Sequence, residues 1–216
     1  MWDGGGKTST EMLTDCPPVA DPLSNRVPPA VTSCDHLLKI VLGGNAVLNP
    51  GVYCGGLTIS GNASVTFNPG VYVIKDGLFL VQHSASIKGE DVAFYMKGAA
   101  SQLQFFDNAT IDLSGAKSGK LAGILFYGDP NALGLVVHNI RSTNAHNLTG
   151  TIYMPKANLV VDPAAPVGQN SAYTAIIANR LIVDNGPTLV LNTNYDDTNV
   201  PVPEGIRFAN DIVLAE

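Results

Sequence analysis

The sequence predicts an all-β fold: a right-handed parallel β-helix, wound as a single-stranded solenoid with three short strands per coil. Three observations predict it. First, Asn49-Pro50-Gly51-Val52-Tyr53 returns 19 residues later as Asn68-Pro69-Gly70-Val71-Tyr72. Second, Ala63-Ser64-Val65, Ala85-Ser86-Ile87 and Ala109-Thr110-Ile111 open successive units 22 and 24 residues apart. Turn-plus-strand units of this length are the mark of a solenoid. Third, no stretch carries a convincing 3.6-residue apolar period. Pro155, Pro163, Pro166 and Pro187 also fall between the strand runs and not inside them, where a ladder donor would be missing.

The elements follow in order. Residues 1–35 hold Pro17, Pro18, Pro22, Pro28 and Pro29 with few apolar residues between. They read as an extended arm, which either links to something upstream or lies along the rod. Residues 36–216 form the β-helix domain. Residues 35–42 are the best helix candidate, and equally a strand of the first coil. In each repeat, Pro50-Gly51 and Pro69-Gly70 fit a type II turn, Pro setting φ and Gly taking φ > 0. Second strands run over 71–74, 92–96 and 123–127, third strands over 78–81, 103–106 and 135–137. Loops at 114–120 and 128–134 take the variation in length. Further strands are expected at 149–154, 159–162, 174–178, 181–184 and 188–192.

Aligning the second strands places Val52, Val71, Val92 and Ile124 in one inward column and Cys54, Val73, Phe94 and Phe126 in the next. Tyr53 and Tyr72 then point outward. Roughly seven coils at about 4.8 Å make a rod on the order of 35 Å long.

The 216 residues are 45% apolar, enough for one continuous core. Only 14% are Asp, Glu, Lys or Arg, well below the usual quarter. The polar surface is instead Asn, Ser, Thr and Gln, as in secreted or cell-surface β-proteins. Net charge is −6 with no basic run, which argues against nucleic-acid binding. No apolar run is long enough to span a membrane. Met1-Trp2-Asp3-Gly4 has neither a charged n-region nor an h-region, so export requires a targeting segment upstream. Cys34 and Cys54 bracket the first coil. A bridge between them fits export, buried thiols fit a reducing compartment, and the odd count leaves Cys16 free or paired elsewhere.

Signals for chemistry are few. Gly4-Gly5-Gly6-Lys7-Thr8 lacks the first glycine and the preceding strand of a phosphate loop, and reads as a terminus. His36, His83, His138 and His146 have no metal spacing, and no metal or cofactor is expected. Asp196-Asp197 reads as a solvated turn. Asn62-Ala63-Ser64, Asn108-Ala109-Thr110 and Asn147-Leu148-Thr149 match the glycosylation sequon, as chance allows in an Asn- and Thr-rich chain. A pectin-lyase-like shape invites a polysaccharide lyase or hydrolase. Such an enzyme needs clustered carboxylates or an Arg base in one groove, with Asp107, Asp112, Asp129 and Arg141 as candidates. Asp129-Pro130 and Asp162-Pro163 also suit turn starts, and His138 and Arg141 read as solvated loop residues.

The run Leu48-Asn49-Pro50-Gly51-Val52-Tyr53-Cys54-Gly55-Gly56-Leu57 and the second Pro-Gly-Val-Tyr at 69–72 resemble the C-terminal extracytoplasmic region of TadG-type proteins of the bacterial Tad (Flp) pilus-assembly system. Gly89-Glu90-Asp91-Val92-Ala93-Phe94-Tyr95, Ala122-Gly123-Ile124-Leu125-Phe126, Leu148-Thr149-Gly150-Thr151-Ile152-Tyr153-Met154-Pro155 and the early Ala20-Asp21-Pro22-Leu23 extend the likeness. The resemblance implies a membrane-anchored longer protein at the cell envelope, serving pilus assembly or adhesion without catalytic residues. Its partners would be envelope or pilus proteins or a cell-surface ligand, met through a rigid rod's polar rows or through the strand edges of its end coils.

Overall fold

The computed structural model describes residues 20–206 apart from Thr32, Gly134, Leu135, Pro163, Ala164, Asn185 and Pro187. The glycine-rich terminus, Cys16, Pro17, Pro18, Pro163 and Pro187 lie outside the described residues. Among the described residues, twelve strands make one wrapped parallel sheet of about six turns, a β-solenoid. They are β1 (His36–Val41), β2 (Asn45–Leu48), β3 (Gly51–Ile59), β4 (Ser64–Phe67), β5 (Gly70–Val81) and β6 (Ser86–Lys97). After them come β7 (Gln102–Phe105), β8 (Thr110–Gly115), β9 (Ile124–Gly128), β10 (Val136–Ile140), β11 (Asn144–Val161) and β12 (Thr174–Val183). Several strands turn a corner without breaking, so one strand serves two faces.

The cross-section has three faces. The first stacks β2, β4, residues 86–89 of β6, β8 and residues 144–149 of β11. The second stacks residues 51–54, 70–75, 92–97, β9, 150–154 and 174–178. The third stacks residues 39–41, 56–59, 78–81, β7, β10, 157–161 and 180–183. Residues 35–42 thus contain a strand and no helix: β1 pairs in parallel with β3 and forms an edge of the sheet. In 188–192 a single bridge, Val167 to Leu189, replaces the expected strand.

The second face corrects the expected direction of its side chains. Tyr53 and Tyr72 point inward and are fully buried. Tyr72 stacks on Phe94 at 5.3 Å, and Phe94 on Phe126 at 5.5 Å, so aromatic rings climb the core coil by coil. Val92, Phe94 and Phe126 point in as expected, whereas Val52, Cys54, Val73 and Ile124 line a second apolar cluster on the outer side, with Val71 packed against it. The cause is a register shift. Val71 pairs with Ala93, one residue beyond the Val92 that matching the strands suggests, and a one-residue slip exchanges the inward and outward columns of β5 and of β3 below it.

The repeat also differs from a type II turn. Gly51 and Gly70 have φ of 158° and 136°, well away from the roughly +80° such a turn requires. Glycine is needed at Gly70 for another reason: a Cβ there would collide with the Pro50 ring of the coil below. The tyrosines close the motif. The Tyr53 hydroxyl donates to the Asn49 carbonyl at 2.7 Å, and the Tyr72 hydroxyl lies 2.7 Å from Asn68 O and 2.8 Å from Leu48 O. Burial and the nearby Asp35 push the Tyr53 pKa up to about 12, so the phenol stays a donor.

Residues 20–31 lie along the outer side of the second face. Leu23 and Val31 pack there with Val52, Val73, Ala93, Tyr95, Tyr127 and Tyr153. Tyr127 donates to Arg26 O at 2.8 Å, Tyr153 to Asp21 Oδ2 at 2.8 Å, and Arg26 Nη1 to Lys120 O at 3.0 Å. Ile206 packs against the same cluster, and Tyr173 donates to Pro201 O at 2.7 Å. From 70–75 to 150–154 this face is therefore largely buried on both sides, while Ala175–Ala178 of the last coil are partly exposed.

Candidate functional site

The four residues considered for catalysis occupy different places. Asp107 sits on the corner between the third and first faces, with a left-handed backbone at φ 55°. Its Oδ2 accepts the His83 N–H at 2.9 Å, tying that corner to the coil below. Arg141 follows β10 at the same corner and pairs with Asp162 at 3.6 Å. Asp112 lies on the outer surface of β8 and accepts from Asn147 Nδ2 at 2.7 Å. Asp129 follows β9 at the corner between the second and third faces and is buried.

Asp129 is a structural acid. Its Oδ2 accepts from Lys97 Nζ at 2.8 Å and from Gly98 N at 3.1 Å, its Oδ1 from Asn131 N at 3.0 Å. Burial alone would raise its pKa. The Lys97 ammonium and the two backbone donors outweigh that and hold it below the usual carboxylate range. Each donor binds the ionised form, so Asp129 is a poor source of a proton.

His138 corrects the expectation of a loop residue. It lies within β10, points inward and is 1% exposed. Its Nδ1 accepts the Leu103 N–H at 2.9 Å, which places the ring proton on Nε2. Burial lowers its pKa to about 4, so it is neutral at physiological pH. The alternation of Val136, His138 and Ile140 would have signalled this placement, all three being buried on one side of the strand.

Cys34 and Cys54 are joined in a disulfide, with Cα atoms 5.7 Å apart. It fastens the segment entering β1 to β3 of the next coil. Among the described residues, no three His, Cys, Asp or Glu side chains gather as a metal site, and no helix is long and apolar enough to cross a membrane.

The outer surface of the first face is the remaining candidate. Register sets its rows. Asn45, Ser64, Ser86, Thr110 and Asn144 align across five strands, and Val47, Thr66, Lys88, Asp112 and Asn147 align beside them. At the corner next to these rows, Asn68 Nδ2 donates to Asn49 Oδ1 at 2.7 Å. Thr66, Lys88, Glu90, Asp112, Ser114 and Asn147 line a groove of about 380 Å³. Inside it the amides are fixed: Asn147 donates to Asp112 while accepting from Thr149 Oγ1 at 2.7 Å. Asp112 is engaged as an acceptor and Asn147 as both donor and acceptor, so the arrangement supports hydrogen bonding better than proton transfer. Sequence reasoning singled out Asp112 here but not its row, which becomes visible only when the coils are in register.

No known family model, curated protein or solved structure matches this chain. Fold and surface together define a class: a parallel β-solenoid, stapled at its first coil, with one face hidden and one face polar and open.

Proposed function

We propose that this chain is a non-catalytic β-solenoid module of the cell envelope or exterior, serving pilus assembly or surface adhesion. The observation that carries this reading is the contrast between engaged and open polar groups. Asp107, Asp129 and Arg141 are each tied into bonds that hold corners of the solenoid. The first face, in contrast, offers ordered rows of Asn, Ser and Thr to the outside. Such rows bind by shape and hydrogen bonding. The Cys34–Cys54 bridge fits an oxidising compartment, and the scarcity of charge fits a surface protein. The resemblance to the TadG-type extracytoplasmic region points the same way. The polysaccharide lyase or hydrolase alternative draws less support, because its four candidate residues are divided among two corners and one open face.

The test is made in the native cell. Thiols are blocked with an alkylating reagent before and after reduction, and the fractions carrying the protein are identified. The expected result is an envelope or external protein whose Cys34 and Cys54 react only after reduction, and whose deletion impairs piliation or attachment. A cytosolic protein with both thiols free, or a deletion that leaves both traits intact, overturns the reading.

A further inference from the structure

The first-face groove has a period, a polarity and a charge balance that together select a ligand. Its rows run along the solenoid axis, one residue per coil, so each row places a polar side chain about every 4.8 Å. That step is close to the rise of one sugar unit in an extended β-linked polysaccharide. A chain of such sugars lying along the axis therefore meets a polar side chain of each row at every unit. From Thr66 through Lys88 and Asp112 to Asn147 there are three such steps, about 14 Å at that spacing. The neighbouring row, Ser64, Ser86, Thr110 and Asn144, supplies hydroxyls and an amide at the same levels.

Charge narrows the choice. Lys88 stands directly beside Asp112 in the register, and Lys117 Nζ lies 3.7 Å from Glu90 Oε2 at the groove's edge. Two ammonium groups and two carboxylates balance, so neither a polyanion nor a polycation is favoured. What remains is a set of donors and acceptors suited to hydroxyl and acetamide groups. The Asn147–Asp112 pair is already oriented by its own hydrogen bonds, which limits the ordering cost of binding.

We infer that this groove binds an extended, uncharged β-1,4-linked polysaccharide, one sugar unit per coil. This deepens the adhesion reading by naming the ligand class, and rests on that reading only for where the glycan is met. Binding needs no residue to act as acid or base and leaves the glycan intact.

Purified protein is titrated with cellohexaose and chitohexaose, and separately mixed with amylose and polygalacturonate. Binding of one or both of the β-1,4-linked probes is expected, the two arms separating plain from acetylated glycans. The curled, α-linked amylose and the polyanionic polygalacturonate are expected to stay unbound. Asp112→Ala and Lys88→Ala should each weaken binding about tenfold, as loss of one charge-assisted hydrogen bond implies. Both should leave the melting temperature unchanged, and exposed Lys156→Ala should leave binding unchanged. Binding of neither β-linked probe, equal binding to amylose, or binding indifferent to both groove substitutions overturns the inference. Measured on purified protein, none of these outcomes depends on where the cell keeps it, so failure here and failure of the envelope assignment are told apart.

Discussion

The first and second faces are built from the same parallel ladder, yet their sequences obey different rules. On the first face one side is core and the other is open. Its strands alternate accordingly: Ser64-Val65-Thr66-Phe67 and Thr110-Ile111-Asp112-Leu113 bury every second residue. The second face is core on one side and covered by residues 20–31 on the other. Its strands are continuously apolar, as in Val92-Ala93-Phe94-Tyr95-Met96, all buried. Strands covered on both faces lose their period-two signal. Alternation is thus a readout of what covers a sheet, not of strand structure as such.

Four measurements sharpen or break that contrast. The largest effect is expected from Tyr72→Ala in the aromatic column of the core. It leaves a cavity and strips a hydroxyl from two carbonyls, and should cost about 3–5 kcal/mol in urea unfolding.

Next is the pH response of His138 in the third face. Its pKa falls from about 6.5 in the unfolded chain to about 4 in the fold. The unfolded chain therefore takes up this proton first as pH drops. The stability contribution is complete above about pH 6.5 and is lost as pH falls toward 4, a total of about 3 kcal/mol. His138→Gln, an uncharged residue that keeps an acceptor for Leu103 N–H, should lack this part of the acid slope when the two proteins are compared at pH 7 and pH 4.5.

Third, Val73→Ala probes the covered outer side of the second face. Val73 is buried among Tyr95 and the arm residues, and its truncation should cost about 2 kcal/mol. Thr66→Ala, outward on the first face, should change stability by no more than about 0.5 kcal/mol. Equal, small effects at Val73 and Thr66 would show that the arm does not seal the second face in solution.

The repeat length and the stacking of parallel strands were legible because they are local, whereas Pro155, expected between strands, lies inside β11 at the corner where its register with β12 shifts. Asn-Pro-Gly-Val-Tyr announces a corner whatever the rest of the chain does. What the sequence hid depends on distant partners. The direction of Tyr53 and Tyr72 follows from the one-residue register offset between β5 and β6 and from an arm that turns both sides of the face apolar, so no single strand records it. Asp112 was visible as a polar residue between Ile111 and Leu113, but its alignment with Thr66, Lys88 and Asn147 spans 81 residues of chain. His138 was misread because a histidine near a turn suggests solvent, whereas its neighbours at two-residue spacing are core.

The arm has a consequence for the order of assembly. Solenoid coils touch only their neighbours and can form one after another from either end. Residues 20–31 break that rule, since Arg26 and Asp21 bond to Tyr127 and Tyr153, roughly a hundred residues or more downstream. During synthesis the segment made early cannot complete its contacts until Tyr153 of the fifth coil exists. The second face, with its tyrosines uncovered, must wait for a lid that is already translated but cannot yet close.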